Sequence, residues 1–498
     1  MLRIHRASRL TRQLAGVEQA LGLPRRKAHV AVDPTLHAEW HAERPKRGGT
    51  HGPLSFNDPA QAYRGVKTSQ LAFSLLVSSM CAVTPVTTNA NRIIDAATSL
   101  GLRPIVNAVI RRTIFKQYCG GESIFELLDT CEGLSRSGIL PVLDYAAEWA
   151  GDAGDASAMS PRGITGRFTF FESTVDNTLD CIKAASSHPR SMVAVKVTGL
   201  CDPNLLELIS RTPGILRRDA RDAVWEHDRE DPPDEWEADE GAAVLVRRIG
   251  RLCAEAEGAG VQLLIDAEHY STQPAVDALV TLMQERYNRR AAVVSNTYQA
   301  YLKGTDRRIK LDVDAAAAGG YILGAKLVRG AYMQAERERA KVRGYSSPIH
   351  DCKEDTDECF NRCLDSLVEA ASEMRACVMV ATHNQESIER AAAAMTGLRM
   401  DPWGPRAART HGRPVPDTTG QVSFAQLLGM SDHLTSTLAA GGYIAYKYVP
   451  FGPLDMTLPY LTRRARENVD VLGGDAAVRE RAMMRTELGR RLLGQWRL

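Results

Sequence analysis

The stretch Tyr443–Asp470, YIAYKYVPFGPLDMTLPYLTRRARENVD, reads as one complete structural unit. Tyr443 to Val449 is a short apolar run dense in aromatic residues, which predicts a buried strand. Pro450, Gly452 and Pro453 break it. A helix is expected from Asp455, with Leu458, Leu461 and Ala465 on its apolar stripe. That helix carries the adjacent Arg463 and Arg464, with Glu467 four residues beyond Arg463. Two planar, permanently charged forks side by side suit capture of a carboxylate or phosphate. An isolated RRxRE is more plainly read as a solvated helix face, so its meaning depends on what the rest of the chain sets opposite it.

Outward from this unit, the same alternation of apolar run and helical segment repeats towards the N-terminus. The other runs are Ile139–Tyr145, Met192–Val197, Val261–Ala267, Ala291–Thr297, Gly324–Val328, Cys377–Thr382 and Val422–Leu428, eight in all with Tyr443–Val449. Strands buried on both faces and joined by helices imply a parallel sheet. Eight such units predict an α/β fold, a closed (β/α)8 TIM-type barrel. The open doubly wound sheet is the rival, but its GxGxxG fingerprint is missing. Gly258-Ala259-Gly260 precedes its strand and lacks the third glycine.

In such barrels the chemistry sits where strands end and the following loops begin. Those ends hold Asp144 and Glu148, then Lys196, then Asp266 and Glu268, then Asn296 and Gln299. Next come Lys326, Arg329 and Tyr332, then Thr382, His383 and Asn384, then Gln426 and Gly429, and last Tyr448. A lone Lys or Asp in a buried run is costly unless matched, so each is either half of a bracing ion pair or part of a site. Gathered at one rim, with a cationic excess from Lys196, Lys326, Arg329, Arg463 and Arg464, they predict an anionic ligand. The residues by themselves leave open a hydride-transfer or a lyase barrel and do not name a cofactor.

The 498 residues are 44% hydrophobic and 24% charged, enough for one large domain with appendages. A net charge of +2 gives no case for nucleic-acid binding through bulk charge. Ten cysteines form no CxxC pair, and Cys359 and Cys363 lack the further ligands of a zinc set, so no metal site is expected. At the N-terminus Arg3, Arg6, Arg9 and Arg12 recur every third residue among Leu2, Ile4, Leu10 and Leu14, with no acid before Glu18. That pattern reads as a mitochondrial presequence, over about residues 1–28. Residues 29–134 are expected to be a helical region with a poorly ordered start, and 135–498 the barrel. Two inserts read as solvated loops: an acidic one at about 218–240 and a Pro/Gly/Arg-rich one from Asp401 to Gln421.

The stretches LDYAAEW, VAVKVTGL, LLIDAEHY, NTYQAYLK, GAKLVRGAY, ATHN, FAQLLGM and YVPFGPLDMTLPYLTRRARENVD run in order from about Gly138 to Asp470. In this the chain closely resembles the mitochondrial proline dehydrogenases (proline oxidases), FAD-dependent (β/α)8-barrel enzymes. The resemblance implies that Arg463, Arg464 and Lys196 clamp the carboxylate of L-proline. Tyr448 would pack on the pyrrolidine ring, and Asp266 would order that side of the pocket. Asn296, Lys326, Arg329, Tyr332, Thr382, His383 and Glu467 would lie along the FAD, and the helix bearing the arginine pair would close over the mouth. It further implies ubiquinone as electron acceptor, peripheral association with the inner mitochondrial membrane on its matrix side, and no nucleic-acid partner. The alternatives are a hydroxyproline dehydrogenase of the same superfamily and a non-catalytic, proline-sensing barrel. Tyr448 argues against the first, because a bulky ring with its own hydroxyl leaves little room for a second hydroxyl on the substrate.

Overall fold

The computed structural model describes residues 54–82, 96–97, 99–146, 164–188, 190–212, 214–216, 238–402, 409–410, 413–414, 420–470 and 475–495. The expected presequence and most of the acidic insert lie outside them. The last residues of that insert already belong to the helix Ala238–Ala259.

Eight parallel strands close a barrel: β1 (Leu140–Tyr145), β2 (Met192–Val195), β3 (Gln262–Ile265), β4 (Val294–Gln299), β5 (Leu323–Val328), β6 (Ala376–Ala381), β7 (Val422–Leu427) and β8 (Ala445–Phe451). Each pairs with its sequence neighbours, and β8 closes on β1 from Leu140↔Tyr446 to Tyr145↔Phe451. Every predicted run falls on a strand, because in a parallel barrel both faces are covered and the sequence stays apolar throughout. Low in the barrel the inner face carries polar side chains: the Gln262 amide donates to Ser295 Oγ at 2.8 Å.

The outer shell is built from amphipathic helices. Ile164–Ser186, Ala238–Ala259 and Gln273–Tyr287 cover β1 to β4 through a core that includes Val175, Ile182, Leu245, Ile249 and Leu279. Thr305–Gly319, Lys353–Ser372 and Gln385–Gly397 cover β4 to β7 through Ile309, Phe360, Leu364, Leu367 and Ile388. Between the second of these layers and β7, where a loop is expected, two-residue strands Arg409–Thr410 and Arg413–Pro414 pair antiparallel.

Before the barrel come the helices Thr68–Cys81, Arg103–Ile110 and Ile124–Ser135. After β8, Gly452 takes a φ of 135°, a backbone state glycine adopts freely, and the helix Leu454–Asp470 begins. A final helix, Asp475–Gln495, which the sequence did not announce, packs its Met484 against Ala62, Tyr63 and Leu71.

Candidate active site

Period-two alternation turns Asp144, Lys326 and Tyr448 into the barrel, and the turns after β2 and β3 deliver Lys196 and Asp266 to the same level. Lys196 follows Val195, whose register partner is Ile265, the residue before Asp266. The Lys196 ammonium donates to both oxygens of Asp144 at 3.0 and 3.1 Å, to Asp266 Oδ2 at 3.1 Å and to the Tyr448 hydroxyl at 3.1 Å. Tyr448 in turn donates to Asp266 Oδ2 at 2.7 Å, and Lys326 donates to Asp266 Oδ1. Asp144, Asp266 and Lys326 are all buried, so two carboxylates and two ammoniums balance in a site that water barely reaches.

That balance fixes the protonation states. Burial alone would push the Asp266 carboxyl up, but Lys326 and Lys196 outweigh it and hold the group well below the usual carboxylate range. Burial, reinforced by Asp144 and Asp266, drives the Tyr448 phenol well above its ordinary value, so it stays a donor. Both ammoniums also stand 5.6 Å from the centre of the Tyr448 ring, on whose face cations are favoured.

The helix Leu454–Asp470 supplies the arginine pair. Arg464 is buried, its guanidinium 5.1 Å from the Tyr460 ring. Arg463 lies 5.7 Å from the ring of Tyr332, just past β5, and Tyr332 packs on His269 at 4.5 Å. The His269 ring meets Glu336 at 2.7 Å, and Glu336 also accepts from Tyr270 N at 3.0 Å. A chain of contacts therefore ties this helix to the loops after β3 and β5. Glu467 falls on the far part of the helix, where side chains lie outside the described residues.

On the β5–β6 side, Arg329 spreads its fork: Nε to Asp357 at 2.7 Å, Nη1 to Thr382 Oγ1 at 2.8 Å and Nη2 to Ser387 Oγ at 3.1 Å. It rests on the Phe360 ring at 4.3 Å. His383 Nδ1 stands 2.8 Å from Ser431 Oγ, and its Nε2 faces Leu427 N at 3.4 Å. Nε2 can only accept from that backbone donor, which assigns the proton to Nδ1. Burial first, then Lys447 and Arg464, push this imidazole down to about 3, so it is neutral at working pH. Leu454, Tyr460 and Leu461 pack in one cluster with Met430 and Leu427, which sets the arginine helix beside the end of β7.

Asn296 does not join the mouth. It is buried on the outer side of β4, where its amide donates to Asp277 of the helix Gln273–Tyr287 at 2.9 Å. Three positions on, the alternation reverses the direction, and Gln299 donates to the carbonyl of Glu268 at 3.1 Å. The expected place of Asn296 at the mouth is therefore corrected: it faces the covering helix, and Gln299 takes the inward position at the end of this strand. Sequence reading also left three contributors without a role. Asp144 had no partner until β1 met β2. Glu268 accepts from Thr198 N at 3.0 Å and from its hydroxyl, bracing the loops after β2 and β3. Lys447 is buried and donates to the carbonyls of Leu427 and Met430 at 3.2 and 2.6 Å and to Asp432 at 2.7 Å, fixing the turn after β7.

The proline dehydrogenase family pattern matches residues 127–474, which takes in all eight strands and the arginine helix. The chain belongs to the proline dehydrogenase family. It is 31% identical to the hydroxyproline dehydrogenase of Xenopus laevis, over 89% of this chain and 91% of that one. It is 30% identical to the mitochondrial proline dehydrogenase 1 of Arabidopsis thaliana, over 93% of this chain and 90% of that one. Among solved structures, it resembles proline utilization A from Bdellovibrio bacteriovorus, inactivated by N-propargylglycine, with a TM-score of 0.57 at 17% identity. That likeness covers 87% of this chain but 40% of the longer one, and it supports the barrel fold. Family members are flavoenzymes, and the donor set here suits such a cofactor. The Arg329 guanidinium and the hydroxyls of Thr382 and Ser387 stand at the N-terminus of the helix Gln385–Gly397, an end that favours an anionic group.

Proposed function

We propose that this protein is an FAD-dependent proline dehydrogenase that oxidises L-proline to Δ1-pyrroline-5-carboxylate and passes the electrons to ubiquinone. The observation that carries the reading is the buried Lys196–Asp266–Tyr448 cluster beneath a helix with two adjacent arginines. An amino acid needs a cationic clamp for its carboxylate and a packed surface for its ring, and this mouth offers both. Arg463 and Arg464 would grip the carboxylate, with Lys196 adding a point charge from below. Tyr448 would pack against the ring, held in place by its bond to Asp266. Fixing both ends of so small a molecule presents one carbon in one direction.

Bound FAD supplies the hydride acceptor. Lys326, Arg329, Thr382, His383 and Gln299 line the side where it would lie, and Tyr332 would close the mouth under Arg463. The neutral His383 adds no competing charge there, and the cations favour the anionic state of a reduced partner. Closure of the Leu454–Asp470 helix over substrate would exclude water. The Arg-rich N-terminus and relatives named as mitochondrial support a mitochondrial setting; the matrix face of the inner membrane is where transfer to ubiquinone would take place.

Several relatives are named hydroxyproline dehydrogenases, which keeps that substrate as the second reading. Tyr448 favours proline: its hydroxyl points into the cluster and is already committed to Asp266 and Lys196. The deciding experiment is anaerobic titration of the yellow protein with proline and with 4-hydroxyproline. Bleaching of the flavin by proline at much lower concentration is expected. A protein without flavin absorbance, or one bleached preferentially by hydroxyproline, overturns the reading.

A further inference from the structure

The helix Arg103–Ile110 runs without a break into a π-helical turn, Arg111–Phe115, and on to Tyr118. It is apolar on two sides. One side is accounted for: Phe115 and Tyr118 are buried with Val77 and Cys81, and Ile110 and Ile114 pack against that cluster. The other side faces solvent. Leu102, Ile105 and Val109 follow one another at helical spacing and are 43%, 63% and 53% exposed, and Leu100 just before them is 74% exposed. A helix lying on a folded core needs only one apolar stripe, and a second one left in water marks a contact surface. Ile105 and Val109, with Arg112, line a shallow cleft of about 510 Å³.

Charge says what the contact is. From Thr98 to Gly121 the sequence holds Arg103, Arg111, Arg112 and Lys116 and no acid. Arg103 pairs with Asp455 at 3.0 Å and Arg111 with Glu122 at 2.5 Å. Arg112 and Lys116 are exposed; Arg112 reaches the Ala108 carbonyl at 3.5 Å, and Lys116 stands 5.3 Å from the Phe73 ring. Among the described residues no helix is long and apolar enough to cross a membrane.

We propose that the exposed face of Leu100–Lys116 is the surface by which this protein lies on a bilayer containing anionic phospholipid. The apolar stripe enters the boundary between headgroups and acyl chains, and the flanking cations meet lipid phosphates. A second copy fits less well, because a two-fold contact sets this cationic patch against itself. The face is also close to the chemistry: Asp455, the partner of Arg103, stands in the first turn of the helix that bears Arg463 and Arg464. The inference rests on the proposed function for its purpose, delivery of electrons to a membrane-dissolved quinone, and on the exposed face for its physics.

The test is flotation of the full-length holoprotein with phosphatidylcholine vesicles, with and without admixed phosphatidylglycerol. Proline oxidation by a soluble dye is measured on the same preparations. The wild type is expected to float with the anionic vesicles at least about tenfold better than with the neutral ones. The double variant I105S/V109S loses that binding by about tenfold or more, and R112E/K116E loses the preference for anionic lipid, both with dye-linked turnover unchanged. Wild-type flotation by I105S/V109S, or no flotation of the wild type on either vesicle, overturns the proposal. So does a dimer in solution that I105S/V109S splits, since the face then belongs to a second copy. Loss of dye-linked turnover in every preparation, with flotation intact, sinks the enzymatic reading and leaves the surface standing.

Discussion

Lys196 and Asp266, seventy residues apart, meet at 3.1 Å just past the ends of two adjacent strands. Each is the other's reason for being buried, and Asp144 and Lys326 complete the balance. Replacing Lys196 by Met leaves three charges of the four, with two carboxylates sharing one cation. A loss of about 3–5 kcal/mol in folding stability is expected from urea denaturation, together with a sharp fall in kcat/KM for proline. Adding Asp144→Asn should recover part of the stability and none of the activity.

Arg464→Met should act on substrate and spare the cofactor. Removing one arm of a buried clamp costs about 2–5 kcal/mol in recognition of an anion, which is at least about thirtyfold in kcat/KM. The rise should appear mainly in KM, while flavin per protein stays near that of the wild type. Unchanged proline kinetics would remove the arginine from the clamp.

Tyr448 sets the choice between proline and its hydroxylated relative. Cutting it to Ser opens space for a ring hydroxyl, and the ratio of kcat/KM values should move towards 4-hydroxyproline by about tenfold or more. Tyr448→Phe keeps the ring and loses only the hydroxyl's bonds to Asp266 and Lys196, so it should leave that ratio close to the wild type.

Arg329 is expected to serve the cofactor. Its fork holds Thr382 and Ser387 in place, and Arg329→Ala should raise the dissociation constant for FAD by at least about tenfold, read by flavin fluorescence on dilution. A variant that retains full flavin would move the cofactor away from the β5–β6 ends.

Two groups give stability a dependence on pH in separate windows. His383 is held at about 3 against an ordinary 6.5, so below pH 6.5 the unfolded chain takes up a proton that the folded chain refuses. Stability should therefore fall as pH drops from 6.5 towards 3, and His383→Asn should flatten that slope in urea midpoints. Asp266 is also displaced downward, from a lower starting point: its contribution is complete above its ordinary 3.8 and is lost as pH falls through the lower folded value. Asp266→Asn should therefore change the slope only at the acid end.

The barrel was legible in the chain because its strands are covered on both sides. Runs such as Met192–Val197 and Cys377–Thr382 stay apolar from end to end, and a charged residue at the end of such a run is conspicuous. For the same reason Lys196, Asp266, Lys326 and the arginine pair could be picked out as one rim before any of them had a partner. What the chain could not show is the phase of each strand. Asn296 and Gln299 both stand at the end of the same run, and only the register of β4 against β5 turns Gln299 inward and leaves Asn296 with Asp277. The pairing of Lys196 with Asp144, and the grip of Lys447 on the turn after β7, were equally hidden. Each joins residues of neighbouring strands, far apart in the chain, that meet only once parallel pairing sets those strands side by side. Local sequence determines which segments are strands, helices and breaks, since that depends on neighbours along the chain. Which side chains meet is decided by shear and closure, which belong to the whole barrel.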